Sequence, residues 1–396
     1  MLIAKPAGSG KNLHFSSSAD LCKEVSTKGN DNPAGVDLNS AGLRGESLPS
    51  NNHLLTRLKL ELAYFGGQAW QSRDVGGAGV ILRLERVMPR RAGGFQPLKA
   101  SEITPRFLDR MVRALKRWKY DFVNMDEACR RAVVLPQHRR FVCLTFDGGY
   151  KDVARAAYPI LVHHRVPFTV YVPTAFPDGV GEAWWLALEK IIAKEDRLSL
   201  VIDRTERHIG MRTLSEKSDT FDFLSSWLRQ LAPSDLSTAI NDLCKRYSVD
   251  LLALTREAMM DWEDFSKLAA DPLVTIGSAT VNYPVLSNLR DADVRREMTM
   301  GKAVAESAFR REVKHFAFPF GDRNSFRRAH VMMSGEAGFA SAVSAISGIV
   351  DTAGRTNLHA LPRIAWDGRL SSLRAMRVVL SGATFAAVRP TPKPEI

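Results

Sequence analysis

From Gly79 onward the chain alternates short apolar runs with longer segments whose apolar residues recur at helical spacing, and this rhythm predicts an α/β barrel. Val80-Ile81-Leu82 opens the series as a strand. Thr104-Pro105 then makes a good N-cap and first-turn pair, behind which Phe107, Leu108, Met111, Val112, Leu115 and Trp118 fall on one helical face. Further strands are predicted at residues 141–146, 168–172, 274–278 and 315–319, each followed by a helix or a loop.

Other stretches break the rhythm. Residues 1–50 are rich in Ser, Gly, Asn and Asp with little periodicity, which predicts a disordered extension. Within it, Gly8-Ser9-Gly10-Lys11 is no phosphate loop, because it lacks the preceding strand, the first glycine at the right spacing and the final Ser/Thr. Residues 51–78 should hold an amphipathic helix at 53–65, ended by Gly66-Gly67, and a linker. The barrel is assigned to 79–388 and a disordered tail to 389–396. Between Trp184 and Asp261 the pattern is mostly helical, with a hairpin suggested from Leu198 to Ile209 around Asp203-Arg204-Thr205. It reads as a helical insertion at about 186–260 covering one side of the groove, or as a small subdomain.

Composition narrows the function classes. At 396 residues with 45% hydrophobic content the chain can bury a substantial core. A formal charge of +12 raises the question of nucleic acid. Residues 1–50 hold five basic and five acidic side chains, so the whole excess lies in the folded region. There it is spread as pairs such as Arg90-Arg91, Arg139-Arg140 and Arg310-Arg311, without an aromatic-interleaved stripe. A solvated basic surface is expected, with no specific nucleic-acid site; attraction to an anionic glycan or membrane surface stays open. Cys22, Cys129, Cys143 and Cys244 have neither disulfide-framework nor zinc-type spacing, and Cys143 is expected to pack in a strand. No apolar run approaches the roughly 18 residues of a transmembrane segment, and the N-terminus lacks a secretory apolar core, so a cytoplasmic location is expected. Oligomeric state is not legible.

The candidate chemistry centres on Thr145-Phe146-Asp147-Gly148-Gly149-Tyr150, which follows the apolar run Phe141-Val142-Cys143-Leu144. A strand that ends in an acid and passes through glycines into a helix puts that carboxylate at the strand's C-terminal mouth, where α/β folds keep their chemistry. An acid after a buried strand is also a common helix cap. Extended through Lys151-Asp152, Ala157-Tyr158-Pro159-Ile160-Leu161 and Val166 to Val172, the segment resembles the NodB-homology domain of polysaccharide deacetylases, the family that includes chitooligosaccharide deacetylases. Trp184-Trp185, Asp261-Trp262, Val274 to Ser278, His315 to Gly321 and Leu361-Pro362-Arg363-Ile364 look like family signatures in family order, over roughly residues 80 to 385. The resemblance implies an irregular, incomplete (β/α) barrel with its groove at the C-terminal ends of the strands.

In that family the first motif carries two aspartates, a general base and then a metal ligand, and the second offers two histidines four residues apart. By this correspondence Asp147 keeps the base, while the ligand positions are Gly148, Ala279 and Tyr283. Active relatives use a divalent metal, zinc or similar; here no cofactor is expected, since glycine and alanine cannot coordinate through a side chain and a phenol with pKa of about 10 is a poor substitute for imidazole. The metal's contribution is large. Lowering bound water from pKa 15.7 to about 7 is worth about 12 kcal/mol of hydroxide availability, against roughly 3 to 5 kcal/mol for a general base alone.

Other positions follow from the resemblance. Arg363 matches a family arginine and is expected to pair with Asp147. The arginine of the third motif corresponds to Ala317, the late general-acid histidine has no good counterpart after Ser371, and a Tyr-His pair of many relatives corresponds to Leu84 and Glu85. Tyr150, Trp185, Trp262, Asn282, Tyr283, Pro319 and Phe320 are the candidates for substrate contact, whereas Trp184 and Trp366 also read as packing. His163 and His164 are adjacent on a helix and so point about 100° apart, unlike a chelating pair. His315 reads as a satisfied core histidine, and Asp152 as favouring a helix N-terminus. The expected function is a polysaccharide deacetylase-family protein with weak or no activity on an N-acetylglucosamine-containing oligo- or polysaccharide. Its rivals are a non-catalytic glycan binder or regulator and a basic adaptor.

Overall fold

The computed structural model describes residues 52–65, 77–134, 139–202, 205–351 and 356–382. The expectations for residues 1–50, for the Gly66-Gly67 stop, for Asp203-Arg204 and for 389–396 lie outside the described residues. The strands are β1 (Gly79–Leu84), β2 (Arg86–Val87), β3 (Glu102–Ile103), β4 (Asp121–Phe122), β5 (Phe141–Asp147), β6 (Phe168–Val172), β7 (Arg197–Ile202), β8 (Thr205–Gly210), β9 (Val274–Ser278), β10 (His315–Ala317), β11 (Ser341–Val343) and β12 (Ile364–Ala365). The helices are α1 (Asn52–Phe65), α2 (Pro105–Arg117), α3 (Met125–Val133), α4 (Tyr158–His163), α5 (Trp184–Lys194), α6 (Leu214–Leu228), α7 (Pro233–Arg246), α8 (Leu251–Ala258), α9 (Trp262–Ala269), α10 (Asp291–Phe309), α11 (Arg328–Glu336) and α12 (Leu373–Leu380).

The main sheet is parallel, in the order β11-β10-β9-β6-β5-β1-β12, with β4 added along the first residues of β5. Its two ends are joined by one short segment. Leu361 exchanges hydrogen bonds with the end of β11, to Ala342 and from Ser344 at 2.9 Å each, and three residues later Ile364 and Ala365 pair with Leu82 and Arg83 of β1. The result is the irregular (β/α) barrel expected from the sequence. Parallel strands covered on both faces read as continuous apolar runs, and every residue of β5 and β6 is buried, Cys143 among them.

Local signals account for most elements. Thr104 caps α2 by accepting from the Phe107 amide at 3.1 Å, Pro105 supplies the first turn, and the apolar face from Phe107 to Leu115 is buried as its spacing predicts. The strand predicted at 315–319 ends at Ala317, because Pro319 has no N–H to give the ladder. Asp152 does not serve a helix N-terminus. Its carboxylate accepts from Arg86 Nε and from the Val87 amide, both at 2.9 Å, and the chain beside it winds as a π-helical turn at Val153–Ala157. Helix α1 packs against α12, where the Ser372 hydroxyl donates to Glu61.

Between α5 and α8 the chain forms the antiparallel hairpin β7–β8, in the register Leu198↔Ile209, together with helices α6 and α7. These elements bury a cluster of their own, including Leu188, Ile191, Leu198, Leu224 and Ile240. Among the described residues, no helix is long and apolar enough to cross a membrane.

Candidate active site at the barrel mouth

Asp147 is the last residue of β5, and Gly148 and Gly149, at φ +86° and +69°, turn the chain away from the strand. Only glycine adopts such angles without strain. The Asp147 carboxylate is buried and accepts three hydrogen bonds. Arg363, just before β12, donates Nη1 to Oδ1 and Nη2 to Oδ2, both at 2.7 Å, and Arg83 near the end of β1 donates Nε to Oδ2 at 2.6 Å. Arg363 is itself among the largest fully buried side chains of the described residues, held further by the Ser344 carbonyl at 2.7 Å and the Thr145 hydroxyl at 3.1 Å. Burial pushes the Asp147 pKa up, but the two guanidinium groups outweigh it and hold the carboxyl below its ordinary value. Arg83 also pairs through Nη2 with Glu85 at 2.7 Å. Burial works against its charge, yet the Glu85 and Asp147 carboxylates together raise its pKa.

A cavity of about 270 Å3 opens above this cluster, lined by Arg83, Glu85, Asp147, Tyr150, Trp185, Tyr283 and Phe320, with Phe221, Ser225 and Arg229 supplied by α6 and the residue that ends it. Trp185 Nε1 donates to the Tyr150 hydroxyl at 2.8 Å, and the Tyr283 and Phe320 rings lie 5.1 Å apart. Burial, and then the Asp147 charge, push the Tyr283 phenol up to about 12, so it stands neutral. Thr280, Tyr283 and Phe320 all have left-handed backbones, at φ +70°, +57° and +59°. Each costs on the order of 1–3 kcal/mol for a residue with a side chain, and such outliers cluster at binding and catalytic sites. Tyr283, Phe320 and Trp184 also border a second cavity of about 860 Å3, which reaches toward α7 and α10.

The structure brings Asp147, Arg363, Tyr150, Trp185, Tyr283 and Phe320 together, and separates the other candidates from them. Trp262 does not line the mouth: its Nε1 donates to Asp178 at 2.7 Å and its ring packs on Phe265 and Phe309. Asn282 lines the larger cavity and donates to Glu297 Oε1 at 2.7 Å, while the other Glu297 oxygen takes the Val281 and Asn282 amides. Pro319 is buried in the turn after β10. Trp366 stacks on Phe107. His315 sits at the opposite end of the barrel, with Nδ1 2.9 Å from Ser341 Oγ, and His164 faces Asp109 at 2.8 Å.

Arg83 and Arg229 escaped the sequence analysis. The available signal for Arg83 was its place near the C-terminal end of a barrel strand, where a charged residue points to function. Arg229 joins the Asp322 carboxylate, donates to Ser325 Oγ at 2.9 Å and lies over the Phe320 ring at 4.7 Å.

The positions that would hold a divalent ion do not fit one. Gly148 has no donor, and a Cβ there would meet the Tyr150 ring at 3.1 Å on a left-handed backbone. Ala279 is fully buried, Tyr283 is a neutral phenol, and Asp147 already serves two arginines. Among the described residues, no group of three or more His, Cys, Asp or Glu side chains is arranged to hold a metal.

A barrel with an acid at its mouth and an aromatic cleft above it defines the class of site. Residues 220–333 match the family model described as polysaccharide deacetylase. Solved structures with similarity include the deacetylase PplD of Streptococcus pyogenes in complex with acetate, at 15% identity over 77% of this chain and 97% of that one, with a TM-score of 0.49. IcaB from Ammonifex degensii aligns at 15% identity over 77% and 98%, TM-score 0.47, and the BpsB deacetylase domain from Bordetella bronchiseptica at 14% over 73% and 96%, TM-score 0.43. No curated protein matches the chain.

Proposed function

We propose that this polysaccharide deacetylase-family protein takes an N-acetylglucosamine-containing oligo- or polysaccharide into the aromatic cleft above Asp147, and that it releases acetate slowly or not at all. The observation that carries this reading is the engagement of Asp147 by two guanidinium groups. A general base needs a free lone pair aimed at the proton it takes and a pKa near the working pH. Here three of the roughly four acceptor sites of the carboxylate are taken by Arg363 and Arg83, and the carboxyl lies below its ordinary pKa. The cleft suits sugar rings, since Tyr150, Trp185, Tyr283 and Phe320 offer faces and edges beside a few polar groups.

Isothermal titration with chitotriose, with and without EDTA, tests the proposal together with an acetate assay on the same samples. Saturable binding that the chelator leaves unchanged, with acetate release equal to that of Asp147→Asn, is the expected result. Chelator-sensitive acetate release well above that of Asp147→Asn would sink it.

A further inference from the structure

We propose that Arg83 is the tethered cation of this groove: it neutralises Asp147 in place of a metal ion and donates a hydrogen bond to the carbonyl oxygen of the ligand's N-acyl group. The ligand class rests on the glycan reading above; the role of Arg83 rests on four side chains at the mouth.

The first support is charge balance. Arg83 and Arg363 face Asp147 and Glu85, two positive charges against two negative, joined by contacts of 2.6 to 2.7 Å. A divalent ion entering here would meet a guanidinium already seated on Asp147 Oδ2, with no further carboxylate to offset it. Gly148 belongs to the same arrangement. With one fixed positive charge near the end of β1, a second aspartate at position 148 would leave an excess of negative charge, and the backbone at φ +86° would strain any side chain there. Arg83 and the absence of a carboxylate at position 148 therefore suit one another in charge.

The second support is donor capacity. A guanidinium carries five N–H donors in a rigid fork. Nε goes to Asp147 and Nη2 to Glu85, which orients the fork without exhausting it. The side chain lines both the cavity above Asp147 and a smaller one of about 170 Å3 bounded by Ser101, Ala365 and Trp366. A charged donor held by two carboxylates in a half-closed aromatic cleft is preorganised for a neutral carbonyl oxygen, and hydrogen bonds from ionised groups are roughly twice as strong as neutral ones. An amide carbonyl fits that donor better than a hydroxyl, being the stronger acceptor with no competing proton.

The experiment compares chitotriose with cellotriose, which has the same linkage and carries hydroxyls where chitotriose has acetamido groups, using tryptophan fluorescence from the Trp184-Trp185 wall. Wild-type protein should bind chitotriose about tenfold more tightly. Arg83→Met combined with Glu85→Gln, which leaves no unpaired Glu85 carboxylate, should bring the two affinities to within about twofold of each other. Arg83→Lys keeps a cation beside Asp147 and loses the fork; it should hold its melting temperature and lose most of the preference. It serves as the deciding variant if the double variant does not fold. Preference retained in a folded Arg83 variant, or a wild-type protein that binds both trimers equally, overturns the role of Arg83 alone. Binding of neither trimer overturns it together with the proposed function.

Discussion

Two arginine–carboxylate pairs stand at the same cavity, which Asp147, Arg229 and Asp322 line, and their surroundings give them different work. Arg363 and Asp147 are 0% and 2% exposed and meet through two parallel hydrogen bonds; Arg229 and Asp322 are 33% and 43% exposed and meet through a single nitrogen. The inner pair is almost wholly shielded from solvent, so its geometry is held firmly. The outer pair ties the end of α6 to the loop after β10, within reach of solvent that screens it. The inner pair therefore sets what chemistry the mouth can perform, and the outer one sets how wide the cleft stands.

Breaking the inner pair should give the largest effect. Arg363→Met leaves a buried carboxylate with Arg83 alone and should cost about 3–5 kcal/mol in urea denaturation. Its acid limb has a defined sign: because the folded Asp147 pKa is lowered, its stabilisation is complete above the unfolded value near 4 and is lost as pH falls through the folded one. Asp147→Asn should remove that part of the acid dependence.

A buried group without a close counter-ion sharpens the contrast. His330 is buried on α11, accepts the Arg327 amide at Nδ1 at 3.1 Å, and has only Asp291, 4.0 Å away, to favour its charge. Burial, and then Arg327, lower its pKa to about 4. Stability should be complete above the unfolded value near 6.5 and fall as pH drops toward 4, by on the order of 3 kcal/mol. Denaturation curves at pH 7 and 4.5 should show this loss in wild type and not in His330→Asn.

Gly148→Asp comes next. A left-handed backbone and the crowding against Tyr150 should cost about 1–3 kcal/mol in thermal melts, with no gain in zinc affinity. The outer pair should matter least for stability. Arg229→Met should lose under about 1 kcal/mol, and a loss equal to that of Arg363→Met would erase the distinction drawn here.

Strands that lie wholly inside the sheet were legible because burial on both faces leaves an unbroken apolar run, as in β5 and β6. Helix α2 was legible from its cap and its face. Arg363 beside Asp147 followed from the family resemblance of its segment. The segments that close the barrel were not, since β11 and β12 are three and two residues long and take their conformation from their neighbours. Arg83 was obscure for another reason. A charged residue in the run Arg83-Leu84-Glu85-Arg86 looks solvent-facing until the fold supplies Asp147 from 64 positions away. Trp262 was misplaced because tryptophan serves packing and sugar stacking equally well by type, and only Asp178, Phe265 and Phe309 decide between them.

The seam at residues 361–365 carries a consequence for how the molecule matures. It joins the two free edges of the sheet, and it also delivers Arg363 to Asp147. Until that stretch docks, the wall has a gap and its central anion lacks its main partner, so sealing the cylinder and silencing the acid are one event. Any lesion that loosens the seam, from a cut in the preceding stretch to a bulky replacement at Leu361, should unmask both defects at once.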